Sequence, residues 1–327
     1  SPTGPLHIGG VRTALKRIKA EYNFVDYSLF VSYFPLLVAG PIERATHLLP
    51  QVKLKRSFDY EKAKKGVFQF IWGLVKKVVI ADTCATYANA IFDHYTSMNS
   101  LSLILGAIYF AFQIYGDFSG YSDMALGMSK LFGIDLLKNF NYPYFSRDIA
   151  EFWRRWHISL SSWFRDYVYI PLGGSKGSKL KQVRNVFVIF LLSGFWHGAN
   201  WTFIAWGLIN ALYFLPLLLL NKNRSNIETV NLEWNLSSIK VVWNILVTFG
   251  LSCLAWIFFR ANSIEIAFDY IARIFTNRTF IPQYLENERY SYEILGMILL
   301  FVLVEWNSKT KIEPISGGYS WVKVVLC

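Results

Sequence analysis

One histidine stands alone in a long stretch of sequence without charge. His197 lies in SGFWHGAN (193–200), and no Asp, Glu, Lys or Arg occurs from Asn185 to Asn221, a run of 37 residues. An ionisable residue inside a membrane segment is a functional candidate by default, and imidazole takes and gives a proton near neutral pH. A structural histidine within a helix bundle is the alternative. The glycines beside His197 favour the functional interpretation, because they let a substrate approach the backbone closely.

A second histidine lies among aromatic and basic residues. His157 belongs to EFWRRWHISLSSWFRD (151–166), in which aromatic side chains alternate with arginines. In a continuous helix, Trp153, Trp156 and His157 would share one face through their i+3 and i+4 spacing. An amphipathic interfacial helix with an aromatic belt and snorkelling arginines explains the same pattern. That alternative is compatible with a site at the same place.

A polar cluster follows an apolar run at QIYGDFSGYSD (113–123). Tyr115, Asp117, Ser119 and Asp123 all belong to it. They could line a polar cavity, or they could form the end and caps of a helix. The sequence leaves both interpretations open.

The elements that position these residues must be embedded in lipid. The chain has 327 residues, of which 54% are hydrophobic and 17% charged, whereas soluble domains carry about 25% charged residues. The net charge is +11, but the basic residues cluster between apolar runs. This favours cytoplasmic loops under the positive-inside rule, and no nucleic-acid partner is predicted. The three widely separated cysteines predict neither a disulfide framework nor a metal site.

Several segments are candidates for membrane spans, which need about 20 apolar residues each. The uncharged run is too long for one perpendicular span, so it predicts two apolar segments joined at membrane depth, or one span plus a re-entrant piece. We expect the glycine-containing stretch 119–133 to turn the chain back between two basic clusters. The other candidates are residues 101–116 and 240–259, the shorter 294–306, and the weaker 27–42 and 66–81.

Five stretches of the sequence resemble a known family. From about residue 17 onward the chain resembles the membrane-bound O-acyltransferase (MBOAT) family, most of all its alginate-acetylating branch. The order and spacing of the motifs agree over roughly 250 residues. The matching stretches are FPLLVAGPIERATHLLPQ (34–51), FQIYGDFSGYSDMALGMSKLFGIDL (112–136), NYPYFSRDIAEFWRRWHISLSSWFRDYVYIPLGG (141–174), SGFWHGANWTFIAWG (193–207) and LAWIFFRANSIEIAF (254–268).

The resemblance implies a fold and two catalytic positions. The expected fold is all-α, a polytopic membrane helical bundle with re-entrant or broken segments and a tunnel through it. His197 matches the family's near-invariant catalytic histidine, and His157 matches its second histidine. We expect the tunnel to be lined by Tyr115, Asp117, Ser119, Trp153, Arg155, Trp196 and Asn200.

The resemblance also implies the reaction partners. His197 would act as a general base on an acceptor hydroxyl, which would attack an acyl thioester, with acetyl-CoA the expected donor substrate and no bound cofactor. The acceptor would be an exported polysaccharide such as alginate, and peptidoglycan or teichoic acid would serve the same chemistry. Membrane lipid and a periplasmic SGNH-type acetyltransferase, or another subunit of an acetylation complex, are the expected partners. The expected location is the bacterial inner membrane, crossed several times.

The first residues depart from the family. Residues 1–16 resemble the N-terminus of glutamyl-tRNA synthetases, including a signature at His7–Gly10, but no nucleotide-binding domain follows. We interpret this head as a fusion or assembly artefact and residues 17–327 as an MBOAT domain that lacks its first helices and its C-terminal end.

Two other function classes compete with the enzyme. A membrane histidine in a broken helix and a polar cluster would also suit a proton-coupled carrier, although no inverted sequence repeat is found. A soluble tRNA ligase is supported only by the first 15 residues.

Overall fold

The chain folds as a bundle of helices of very different lengths. The computed structural model describes residues 21–228, 236–286 and 288–309, so the synthetase-like residues 1–16 lie outside the described part. The α-helices are α1 Phe24–Val31, α2 Ala45–Lys53, α3 Tyr60–Val75, α4 Asp82–Asp93, α5 Ser100–Leu131, α6 Ile149–Arg155, α7 Ile158–Phe164, α8 Lys179–His197, α9 Trp201–Leu219, α10 Leu236–Arg260, α11 Ile264–Thr276 and α12 Leu295–Ser308. Shorter elements are the 3-10 turns Phe34–Leu36, Tyr95–Ser97 and Pro143–Phe145, the π-helical turns Lys76–Ala81 and Arg165–Tyr169, and the antiparallel strands β1 Tyr284–Leu285 and β2 Arg289–Tyr290.

Three of the described helices are long and apolar enough to cross a membrane: Ser100–Leu131, Trp201–Leu219 and Ser238–Arg260. The apolar helix Leu295–Ser308 is shorter. The prediction of an all-α membrane bundle is therefore confirmed, and the strongest candidate spans of the sequence correspond to these helices. The weaker segment 27–42 contains only α1 and a 3-10 turn.

Helix α5 is the central element of the bundle. It has 32 residues, which is about 48 Å of helix, and α3, α4, α10 and α11 all pack along it. The side chain of Asn99 caps its first turn by accepting a hydrogen bond from the Ser102 amide. A Schellman motif closes its end, since the Ile134 amide donates to the Ser129 carbonyl and Gly133 takes a φ of 73°.

The predicted turn of the chain at residues 119–133 is therefore wrong, and the glycines explain why. Gly120 and Gly127 lie inside α5, where a Cβ atom on Gly120 would come within 2.7 Å of the Gly73 carbonyl oxygen and one on Gly127 within 2.5 Å of that of Gly66. The two glycine pairs let α3 and α5 touch backbone to backbone. Small residues serve the same purpose between membrane helices in general.

A second close contact joins α8 and α9. Helix α8 ends at His197, and Asn200 caps α9 by accepting a hydrogen bond from the Thr202 amide. The sequence prediction of two apolar segments joined within the uncharged run is confirmed. A Cβ atom on Gly194 would meet the Phe203 carbonyl oxygen at 2.3 Å, and one on Gly207 would meet that of Phe190 at 2.3 Å. This hairpin fixes the position of the helix end that carries His197.

Candidate active site

The two predicted catalytic histidines line one cavity. His157 and His197 both face a cavity of about 330 Å³, called here the histidine cavity, whose walls are mainly apolar. The aromatic residues that line it include Trp153, Trp156, Phe190, Trp206, Trp256 and Phe259. Histidines 40 positions apart in the sequence therefore open onto a common space.

His197 occupies the C-terminal end of α8. Its ring packs edge-on against Phe259, with centroids 5.0 Å apart, and against Trp206 at 5.2 Å. Among the residues that the structure describes, none hydrogen-bonds this ring, so its nitrogens are open to a substrate. A cation at a helix C-terminus is stabilised by the helix dipole, by about 0.3–1 kcal/mol or more. The position therefore suits a base that becomes positively charged during a reaction.

His157 has an unusual backbone conformation. Helix α6 ends at Arg155, and His157 has a φ of 44° and a ψ of 56° before α7 begins. The expectation that Trp153, Trp156 and His157 share one continuous helix face is therefore wrong. A non-glycine residue in the left-handed region is uncommon and is found more often where surrounding structure imposes it for function.

The His157 ring is buried and held by an amide. Its Nδ1 atom lies 3.0 Å from the Asn139 side-chain oxygen, and only 5% of the residue is exposed. Burial, with a smaller contribution from nearby His197, lowers the pKa of His157 to about 3. The ring is therefore neutral at neutral pH, and one of its two nitrogens carries the hydrogen.

A second cavity, of about 260 Å³, lies on the other side of Asn139 and has a basic lining. We call it the lysine cavity. Asn139 is a wall residue of this space, and its hydrogen-bond partner His157 is a wall residue of the histidine cavity. Its charged wall residues are Lys65, Lys76, Lys130, Lys138 and Asp123, and its polar ones include Tyr115, Ser119 and Ser122.

A buried charge cluster forms one wall of the lysine cavity. Lys76 lies in a π-helical turn after α3, and its ammonium is 3.1 Å from an Asp123 oxygen and 3.0 Å from a Glu305 oxygen. The Tyr115 hydroxyl donates to the same Glu305 carboxylate at 2.8 Å. Lys76 and Glu305 are each only 4% exposed. The pairing of a buried cation with buried carboxylates offsets the cost of removing these charges from water.

Four of the seven predicted tunnel residues lie at the two cavities or beside the histidines. Trp153 lines the histidine cavity, whereas Tyr115 and Ser119 line the lysine cavity. Trp196 lies beside both histidines, with its ring centroid 5.1 Å from that of His197 and 6.3 Å from that of His157.

The remaining three predicted tunnel residues have bonding partners elsewhere. Asp117 accepts a hydrogen bond from Lys77 at 2.6 Å and borders a separate surface cavity. Arg155 donates to the buried Glu151 carboxylate at 2.6 Å. The Asn200 side chain caps α9. The cluster at 113–123 does not form a helix end, because all of its residues lie within α5.

Sequence reasoning missed several residues of the site. Asn139 and Lys76 were not singled out, and Glu305 was counted within an apolar segment. The signal for Glu305 and Lys76 was present, because an ionisable residue in an apolar run calls for a partner. For Asn139 the sequence carries no comparable signal, since its role depends on a loop conformation.

Comparisons with known proteins show the family of this chain. The profile of the MBOAT, membrane-bound O-acyltransferase, family matches residues 8–259. A peptidoglycan O-acetyltransferase of Helicobacter pylori is 44% identical over 247 residues, which is 75% of this chain and 45% of that protein. A probable alginate O-acetylase of Pseudomonas aeruginosa is 38% identical over 288 residues, 87% of this chain and 52% of that protein. A teichoic acid D-alanyltransferase of Bacillus subtilis is 32% identical over 193 residues, 56% of this chain and 49% of that protein.

The chain belongs to the membrane-bound O-acyltransferase family. It spans about half the length of the curated relatives it matches.

Proposed function

We propose that this chain carries the catalytic centre of a membrane O-acyltransferase that transfers an acetyl group from a thioester to hydroxyls of an exported cell-envelope polymer. The observation that carries the proposal is the shared cavity of His157 and His197, in a chain whose relatives are named as O-acetyltransferases and as a D-alanyltransferase.

His197 acts as the general base in this proposal. A ring nitrogen takes the proton of the acceptor hydroxyl while that oxygen forms a bond to the thioester carbonyl carbon. The carbon–sulfur bond then breaks, and the thiolate leaves with the proton that the imidazolium returns. The products are an O-acetyl ester and a free thiol, so no further reactant is required. The helix end beside His197 stabilises the transient cation.

The donor would approach through the lysine cavity. Acetyl-CoA carries several phosphate charges, and the lining of this space includes Lys65, Lys130 and Lys138 beside the ion pair of Lys76 and Asp123. Lysine ammonium groups bind phosphates as point charges. In the described part of the chain the buried Ser119 hydroxyl makes no protein hydrogen bond, which leaves it available to a bound molecule.

The acceptor is an exported polysaccharide such as alginate, presented with the help of a periplasmic SGNH-type acetyltransferase or another complex subunit. Peptidoglycan is a second candidate acceptor, favoured by the 44% identity to a peptidoglycan O-acetyltransferase. Both acceptors lie outside the cytoplasm, so the proposal places the protein in the bacterial inner membrane with several spans. The two candidate acceptors are distinguished by the fraction that contains the acetyl ester, which is either the soluble exopolysaccharide or the cell-wall sacculus.

The proposal is tested by measuring O-acetyl esters in cells that express the gene encoding this chain in a background without it. We expect His197→Ala to lower ester content by roughly 10²- to 10⁴-fold, the usual contribution of a general base. The exopolysaccharide and the purified sacculus are analysed separately, which identifies the acceptor.

His94→Ala serves as the matched control. His94 pairs with Glu286 at 2.6 Å and does not line either cavity, so we expect unchanged ester content. Membrane levels of both variants are matched by immunoblot. Normal ester content in His197→Ala would contradict the proposed function.

A further inference from the structure

Asn139 makes an unusual set of hydrogen bonds. It is 1% exposed and lies in the segment between α5 and α6. Its side-chain oxygen accepts from His157 Nδ1 at 3.0 Å, from the Ser159 hydroxyl at 2.9 Å and from the Ser159 amide at 3.3 Å. Its side-chain nitrogen donates to the Ser122 hydroxyl at 3.2 Å. Every polar atom of the side chain is therefore engaged.

These bonds fix which end of the amide faces the histidine. The Ser159 backbone N–H can only donate, so the Asn139 atom that it meets must be the carbonyl oxygen. If the amide were flipped, its NH₂ group would oppose that donor in a buried site, which costs about 1–3 kcal/mol. The oxygen is thus held against His157, and His157 must supply the proton of this hydrogen bond from Nδ1.

The same residue also holds the unusual backbone of His157. The Asn139 carbonyl accepts from the Ile158 amide at 2.8 Å, and two residues further along the Asn141 amide donates to the Arg155 carbonyl at 2.9 Å. The segment from Asn139 to Asn141 therefore clamps the chain on both sides of the left-handed residue. Ring orientation and backbone conformation are set by one neighbour.

We propose that Asn139 is a positioning residue for the reaction: it locks His157 in the neutral Nδ1–H form and leaves the Nε2 lone pair for a substrate N–H or O–H in the histidine cavity. This inference rests on the proposed function. The nitrogen that remains free on a histidine is chosen by the hydrogen bond at the other nitrogen, and loss of such an orienting partner is costly in enzymes that depend on it.

The assignment divides the work of the two histidines. A buried His157 that stays neutral accepts a hydrogen bond at Nε2 but does not take up a second proton at neutral pH. His197, with ring nitrogens open to the same cavity, takes the proton. One histidine orients the substrate and the other performs the proton transfer.

The first test reads the tautomer directly. Solid-state nitrogen NMR on the ¹⁵N-histidine-labelled protein in membranes reports which ring nitrogen is protonated, and a difference spectrum against His157→Gln assigns the signal. We expect a neutral ring with the proton on Nδ1. A proton on Nε2, or a charged ring at neutral pH, would overturn the proposal without any variant at Asn139.

The second test compares Asn139→Leu with Asn139→Asp. Leucine removes the acceptor, so we expect the Nδ1–H signal to be lost and ester content to fall by roughly 10- to 100-fold. Aspartate keeps the acceptor but buries a charge beside Ser122, so its stability should be no better than that of the leucine variant. We nevertheless expect it to retain the Nδ1–H signal and more ester.

Ser252→Ala is the matched control, because it removes one buried neutral hydrogen bond, from the Ser252 hydroxyl to the Thr248 carbonyl at 2.9 Å, and Ser252 lines neither cavity. We expect its ester content to stay within about twofold of wild type, the effect of one neutral hydrogen bond. If ester content follows thermal stability across the three variants, Asn139 is merely structural and the inference fails. If instead His197→Ala leaves the ester intact, the proposed function itself fails, so the two failures are distinguishable.

Discussion

A single methyl group at the contact between α8 and α9 should disturb the site from a distance. A Cβ atom at Gly207 would lie 2.3 Å from the Phe190 carbonyl oxygen and 3.0 Å from its carbonyl carbon. Both obstacles are backbone atoms of a regular helix, so neither can rotate away. The helices must separate by roughly 1 Å to restore an ordinary van der Waals distance. Phe190 lies two turns before His197 on the same helix.

The size of the effect follows from two opposing terms. Overpacking costs about 1–3 kcal/mol, and the better helix propensity of alanine returns up to about 1 kcal/mol. Gly207→Ala should therefore destabilise the protein by at most about 3 kcal/mol. A displacement of about 1 Å in catalytic geometry can cost about 100-fold in rate, so ester content should fall far more than the folded fraction does.

Gly250→Ala is the control for this prediction. Gly250 lies in α10, and a Cβ atom there would meet nothing within 4 Å, so alanine should leave stability unchanged or raise it by up to about 1 kcal/mol. Thermal unfolding in detergent and polymer ester content are measured for both variants at matched membrane levels. Equal behaviour of the two alanine variants would refute the close-packing argument.

Three further changes probe other parts of the molecule. Lys76→Met leaves the Glu305 carboxylate buried without its cation and should lower the free energy of unfolding by about 3–5 kcal/mol. Adding Glu305→Gln should recover part of that stability, measured by thermal unfolding. If the losses of the two single variants simply add in the double variant, Lys76 and Glu305 do not interact as described. Lys138→Glu reverses a charge in the lysine cavity and should lower ester content about tenfold when the donor concentration is limiting. The same change at the exposed loop residue Lys55 should have no effect. Equal losses in the two variants would show that the lysine cavity does not bind the donor. Thr202→Val should be neutral or slightly stabilising, because within the described residues the buried hydroxyl makes no hydrogen bond; a loss above about 1 kcal/mol would reveal a partner.

The sequence was most informative where one physical signal dominates. The absence of charge from 185 to 221 predicted either two joined apolar segments or one span with a re-entrant piece, and a histidine inside this run was a functional candidate for the same reason. The family motifs added His157 as its companion. Both side chains face one cavity in the structure.

The errors arose where one residue type has two uses. Glycine ends helices and also allows helices to touch, and in the segment 119–133 only Gly133 ends the helix, whereas Gly120 and Gly127 contact α3. Helical periodicity around His157 failed because hydrogen bonds from a distant segment impose a left-handed residue there. Local sequence does not encode such a tertiary constraint, and for the same reason Asn139 could not be found.

The buried charge cluster has a consequence for biosynthesis. Lys76 and Asp123 belong to the first half of the chain, whereas Glu305 is made by the ribosome only after α8, α9 and α10. During translation the early helices can pair Lys76 with Asp123, but the Tyr115 hydroxyl has no acceptor until Glu305 arrives. Docking of α12 is therefore the event that supplies Lys76 and Tyr115 with their shared Glu305 partner, and a nascent chain stalled before it would hold this polar cluster incomplete.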